Sequence, residues 1–239
     1  MNINNVFGFA RMKMSAGGEI CLITLAGSRA FGLADESSDT DWRGVFVRPL
    51  KDIVGLKDLR DTQESKEPDV VLHELRKFCK LAVKGNPTIL ETLFSDEDIA
   101  VNKIGFELQK IRESFLWEGS VKPYFGYAGD QVRRMTNGKS LHTAKGKYNT
   151  KYAVHIIRLL HAGIHLAKTG KVMIRPKGKL LGILKRIKAG QHSFEAVLTE
   201  SESLVNELNG AMAASKLPEA PNEKTINDFL YATYSRKEL

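Results

Sequence analysis

The run Gly27-Ser28-Arg29-Ala30-Phe31-Gly32-Leu33, followed by Ser38-Asp39-Thr40-Asp41-Trp42-Arg43-Gly44-Val45-Phe46, decides how this chain is read. Just before it, Glu19-Ile20-Cys21-Leu22-Ile23-Thr24-Leu25-Ala26 is a nearly continuous apolar run that stops at the Gly-Ser step. That is the pattern of a central strand buried on both faces. Residues 29–33 then read as a short helix or turn starting at Gly27-Ser28. Residues 39–47 begin with alternation, end apolar and are closed by Pro49, which reads as a second strand.

Carboxylates two residues apart on a strand share a face, so Asp39 and Asp41 converge while Thr40 points away. Hard divalent cations take such oxygens, and a pair of Mg²⁺ ions, with Mn²⁺ as a substitute, needs a third carboxylate from elsewhere. Residues 68–74, Pro-Asp-Val-Val-Leu-His-Glu, read as a third strand and offer two: Asp69 as first choice and Glu74 in reserve. The complementary half is the Gly-Ser step. Gly27 lets a phosphate approach the backbone, Ser28 adds a hydroxyl donor, and Arg29 supplies charge to a triphosphate tail. Taken singly, a Gly-Ser turn or an Asp-x-Asp strand start is commonplace; a buried strand, Gly-Ser, ten residues and then Asp-x-Asp is not.

Together these stretches resemble the signature of the DNA polymerase beta-like nucleotidyltransferase superfamily. Within it they look most like the predicted nucleotidyltransferases that include RNA-ligase-associated (RlaP-like) members. Two further stretches carry the resemblance: residues 69–77 leading into Leu81-Ala-Val-Lys-Gly-Asn-Pro-Thr-Ile-Leu-Glu-Thr-Leu93, and Tyr148-Asn149-Thr-Lys151-Tyr-Ala-Val-His155-Ile-Ile-Arg158-Leu-Leu160. The resemblance covers most of residues 20–190. It implies that Gly27 and Ser28 contact a nucleoside triphosphate, that Asp39 and Asp41 hold both metal ions, and that Asp69 is the third carboxylate.

Outward from this core, the Asp-, Glu- and Lys-rich connection before the third strand reads as a mobile surface loop. Helical periodicity takes over after about residue 75, with Asn86 capping a helix that starts at Pro87. Further helices are expected over 99–114, 122–135, 148–169, 179–188, 194–208 and 222–235. The expected architecture is α/β (α+β): a catalytic domain with a small mixed sheet over 1–95, followed by an all-α domain over 96–239 that completes the cleft.

On the helix near Tyr148, Lys151, His155 and Arg158 form one polar stripe. It is either a solvated face or a lining that binds the nucleotide, and the resemblance brings the two readings level. His161 and His165 have ligand spacing but no third partner, and read as structural. Glu91 reads as a pairing residue, and Tyr124, Phe125, Tyr127 and Tyr148 read as core rather than as stacking platforms. Basic clusters at Arg133-Arg134, Lys145–Lys151, Arg175–Lys179 and Lys185–Lys188 suit a nucleic-acid backbone.

The formal charge of +8 points the same way. Cys21 and Cys79 read as free buried thiols, and neither a membrane span nor a signal peptide is visible, so a cytoplasmic place is expected. The expected activity is metal-dependent transfer of a nucleotide, ATP among the candidates, to an RNA 3′ end. Rival readings are an enzyme that places AMP on protein and a nucleic-acid-binding module with an inactive site. The Asp39 and Asp41 pair weighs against the second.

Overall fold

The computed structural model describes residues 3–13, 18–136 and 148–236. In chain order the elements are α1 (Ile3–Lys13), β1 (Glu19–Ala26), α2 (Gly27–Ala30), β2 (Asp41–Val47), α3 (Leu50–Val54), β3 (Thr62–Lys66) and β4 (Asp69–Glu74). There follow α4 (Leu75–Val83), α5 (Pro87–Leu93), β5 (Asp98–Val101), α6 (Lys103–Lys110), α7 (Lys122–Thr136), α8 (Thr150–Thr169), α9 (Gly178–Lys188), α10 (Phe194–Ala213) and α11 (Glu223–Ser235). The fold is α/β, a five-stranded mixed sheet with a helical C-terminal region.

The strand order is β3-β4-β2-β1-β5, with the β2–β4 pair parallel and all other pairs antiparallel. As expected, β1 lies inside the sheet, paired on both sides and with its middle four residues buried, while β2 is the middle of the five strands. Two strands were not expected. β3 forms within the charged stretch read as a loop: its pairing with β4 satisfies the backbone, while Glu64 and Lys66 stay exposed, as suits an edge strand. β5 occupies the start of the helix expected over 99–114, because Ala100 and Val101 pair with β1 before Asn102 caps α6 through Gly105 N at 2.9 Å.

The chain divides into two compact units, and their limits differ from a single boundary at residue 95. One comprises residues 1–84, 88–115 and 221–239, and the other 85–87 and 116–220. Residues 96–115 join the sheet unit because β5 hydrogen-bonds to β1 and α6 packs on it. The C-terminal helix joins it too, since the Tyr234 hydroxyl donates to Glu74 at 2.5 Å.

In the sheet unit, Val6, Phe9 and Ala10 of α1 pack against Ile23, Trp42, Phe46, Val70 and Leu72. Their i, i+3, i+4 spacing makes α1 an amphipathic cover for one face of the sheet. The helical unit is built on α8, which packs against α7, α9 and α10 and ends at Gly170 in the left-handed conformation. Among the described residues no helix is long and apolar enough to cross a membrane. Cys21 and Cys79 are buried and unbridged.

Candidate active site

Strand register assembles the site. Ala26 at the end of β1 lies opposite Asp41, and Trp42 of β2 pairs with Val70 of β4, which sets Asp41 beside Asp69. Lys66 at the end of β3 lies opposite Asp69. One end of the sheet thus reads, strand by strand, Lys66, Asp69, Asp41 and then the Gly27-Ser28 turn. Both aspartates precede core-facing residues, Trp42 and Val70, so their side chains project from the face opposite that core.

Gly27 holds a φ of +63°, and a Cβ built there would stand 1.9 Å from Oδ2 of Asp41. Only glycine tolerates that conformation and that contact together. The amides of Phe31 and Leu33 donate to the carbonyls of Gly27 and Ser28, folding the chain into one tight turn. The Arg29 guanidinium donates to the carbonyls of Ser38 at 2.7 Å and Asp39 at 3.2 Å, so it clamps the approach to β2. Asp35 braces the same loop, accepting from the Ser37 amide and from the hydroxyls of Ser37 and Ser38.

The carboxyl groups of Asp41 and Asp69 lie close enough to act on each other. Burial and then the Asp69 charge push the Asp41 pKa up, against the pull of Arg43. Arg43 donates to Asp69 at 3.0 Å and lies 4.0 Å from Asp41. This bridging cation was missed in the sequence, although its position two residues beyond Asp41 puts it on the same strand face. Two carboxylates held side by side repel each other, and a divalent cation would relieve that repulsion, so the donor set suits Mg²⁺ or Mn²⁺ in kind. Asp39 acts on Asp41 through its charge but is not part of the touching pair. Among the described residues no three His, Cys, Asp or Glu side chains gather closely enough to hold a metal ion.

An open groove of about 790 Å³ begins at Asp39 and Asp69 and runs along α1 past Asn4, Asn5 and Met12, with Lys66 on its border. Glu74, the reserve carboxylate, is elsewhere. Even-numbered residues of β4 face the core, so Glu74 is 1% exposed; there it accepts from the Arg76 amide at 2.8 Å and from Tyr234.

Lys151, His155 and Arg158 belong to the helical unit, where their stripe is not a solvated face along its whole length. Arg158 is 4% exposed, and burial with the neighbouring Arg158 charge drives the His155 pKa down to about 4. Burial likewise lowers the pKa of His161 and of His165. Tyr124 is fully buried, whereas Phe125 and Tyr127 are exposed rather than core. Lys145 and Lys147 lie outside the described residues.

Residues 3–232 match the family model described as RlaP, RNA repair pathway DNA polymerase beta family. The chain is 32% identical over 148 residues to the uncharacterized protein YcgL of Bacillus subtilis (strain 168), an alignment covering 58% of this chain and 55% of that protein. It is 28% identical over 121 residues to an uncharacterized 38.9 kDa protein in the nrdC-mobD intergenic region of Enterobacteria phage T4, covering 45% of this chain and 36% of the phage protein. The matched regions thus span about half or less of these curated relatives.

Proposed function

Because the chain belongs to the RNA repair pathway DNA polymerase beta family, we propose that it transfers the monophosphate of a nucleoside triphosphate to the 3′ hydroxyl of an RNA. The observation that carries this reading is the Asp41–Asp69 pair set directly beside the Gly27-Ser28 turn. Gly27 brings backbone within reach of phosphate oxygens, and the Ser28 hydroxyl, which makes no hydrogen bond among the described residues, is available to hold the β- and γ-phosphates.

In-line displacement requires the attacking oxygen and the leaving group on opposite sides of the α-phosphorus. With the leaving phosphates at Gly27-Ser28, attack comes from the other side of the pair, across Asp69 and towards Lys66 at the ends of β4 and β3. The RNA hydroxyl gives its proton to Asp69 as its oxygen bonds to the α-phosphorus. The bond to the β-phosphate breaks, and pyrophosphate leaves.

Asp41 and Asp69 would hold the divalent ions, and Asp39, which reaches Asp41 only through its charge, would be the further carboxylate. When bound, such ions neutralise phosphate charge and acidify the attacking hydroxyl. Arg43 keeps the two carboxylates in register until then.

Incubation with α-labelled ATP, CTP, GTP and UTP, Mg²⁺ and either RNA, protein or small hydroxylated acceptors tests the reading. Labelled RNA with matching pyrophosphate release is expected, and Asp41→Ala abolishes both. Labelled protein alone would replace the RNA reading with protein modification. RNA binding that is unaffected by Asp41→Ala and never accompanied by pyrophosphate release would mark a binding module.

A further inference from the structure

Charge in this chain is segregated. Residues 131–194 contain fifteen Lys and Arg and not one Asp or Glu, so the rest of the chain is net acidic although the whole carries +8. Within that stretch the densest described portion is α9 with the turn before it. Leu184 and Ile187 of α9 are buried, and α9 packs on α8, which fixes its inner face. The other face presents Lys179, Lys185 and Arg186, with Lys177 at the helix start, all exposed. These four make no ion pair among the described residues.

We infer that this outer face of α9 is the surface on which the sugar-phosphate backbone of the RNA acceptor lies in the helical unit. The inference rests on the RNA-acceptor reading and extends it to a second site. Like charges crowded without counter-charges repel one another, and a polyanion relieves that repulsion while releasing its own condensed counterions. Lys179 and Arg186 stand seven residues apart, about two helical turns and so roughly 10 Å along the axis, enough to meet more than one phosphate of a strand.

The same face argues against an anionic membrane as the occupant. Between the cations it carries Gly178, Gly182 and Ala189, whereas a helix that lies in a lipid surface places large apolar side chains there. Open space surrounds Gly178 where a Cβ would stand, and Gly182 meets only the Arg186 guanidinium, so a phosphate strand can approach closely.

The test compares two charge-reversed proteins of equal net charge: Lys179→Glu with Lys185→Glu and Arg186→Glu, and Lys51→Glu with Lys84→Glu and Lys103→Glu. Fluorescence anisotropy with an end-labelled single-stranded RNA is measured across a salt series. The α9 triple is expected to weaken binding roughly tenfold or more and to flatten the slope of log affinity against log salt by about 2, the value for three lost phosphate contacts. The other triple is expected to change affinity less than about threefold. An alanine version of the α9 triple, checked for unaltered thermal unfolding, guards against misfolding.

Equal losses in both triples, or none in either, overturn the inference. So does loss of binding to phosphatidylserine vesicles with RNA binding intact. Asp69→Ala separates this inference from the catalytic reading, because it should abolish transfer and leave RNA affinity in place. A wild-type protein that binds RNA through α9 but transfers nothing would sink only the catalytic reading.

Discussion

Asp69 and Glu74 open and close the same six-residue strand, and the two ends of β4 show how position in a pleat decides what a carboxylate does. Asp69 is partly exposed and held close beside the like charge of Asp41, a repulsion that the Arg43 guanidinium offsets only in part. Glu74 is buried on the opposite face and satisfied, as an N-cap for α4 and as the acceptor of the Tyr234 hydroxyl. One end of the strand is frustrated and the other is content. Frustration held in place by a rigid sheet is what a reactive site requires, whereas a satisfied buried carboxylate serves the fold.

The largest effect that would break or uphold this contrast is on chemistry. Asp69→Asn keeps the shape and removes the charge, and it should lower the rate of nucleotidyl transfer by roughly a thousandfold or more, in the range of losing a main electrostatic contributor. The stability of the folded protein should change little, because the like-charge contact with Asp41 goes together with the ion pair to Arg43. Glu74→Gln should leave transfer per folded molecule within about threefold, since a change of 1.4 kcal/mol at the reacting centre would already be tenfold. Steady-state transfer assays beside thermal unfolding check both. If Glu74→Gln proved the inactive one, the assignment of the third carboxylate would be reversed.

Next comes the turn that brackets the pair. Gly27→Ala places a methyl group where Oδ2 of Asp41 now lies and forces a left-handed conformation on alanine, which costs about 1–2 kcal/mol from the backbone alone. Asp41 must move, so transfer should fall at least about tenfold together with the melting temperature. An alanine enzyme of undiminished rate would show that the Gly27–Asp41 contact is incidental to activity.

Much of this arrangement was legible in the sequence, and where it was not, pairing was the missing information. The apolar run 19–26 ending in Gly-Ser, and Asp-x-Asp entering a strand, declared two elements through local pattern alone. That Asp69 and not Glu74 adjoins Asp41 follows from the register between Trp42 and Val70, a contact spanning 28 residues that no local pattern encodes. Arg43 was overlooked for the same reason, since its second partner is on another strand. β3 and β5 were missed because both are short edge strands without alternation, β3 being wholly polar (Thr62–Lys66) and β5 a single Asp followed by three apolar residues (Asp98–Val101). Asp39 is outside the touching pair because β2 begins only at Asp41, so i, i+2 spacing along a strand does not apply to it.

At the contented end of β4 the effects should be on stability alone. Tyr234→Phe removes the hydroxyl that donates to Glu74 across 160 residues of sequence, leaving a buried carboxyl short of one donor. About 1–3 kcal/mol of stability should be lost, read as a lower unfolding midpoint with unchanged m-value, while transfer per folded molecule is retained.

The smallest effect is one of pH, and its sign follows from the burial that satisfies Glu74. Burial raises the Glu74 pKa more than the bonds from Tyr234 and Arg76 lower it. In the window from the ordinary glutamate value up to that raised value, the folded chain keeps a proton that the unfolded chain has released. The folded state then binds more protons, so the Glu74 contribution to stability is largest below the window and declines as pH rises through it. Glu74→Gln cannot titrate, so the melting temperature of the variant minus that of the parent should grow with pH across the window and level off above it. Taking the difference cancels the similar tendency of Asp41, whose pKa is also raised. A difference that shrinks with rising pH would mean that Glu74 is held as a carboxylate by its two donors, which would move it to the charged side of the comparison with Asp69.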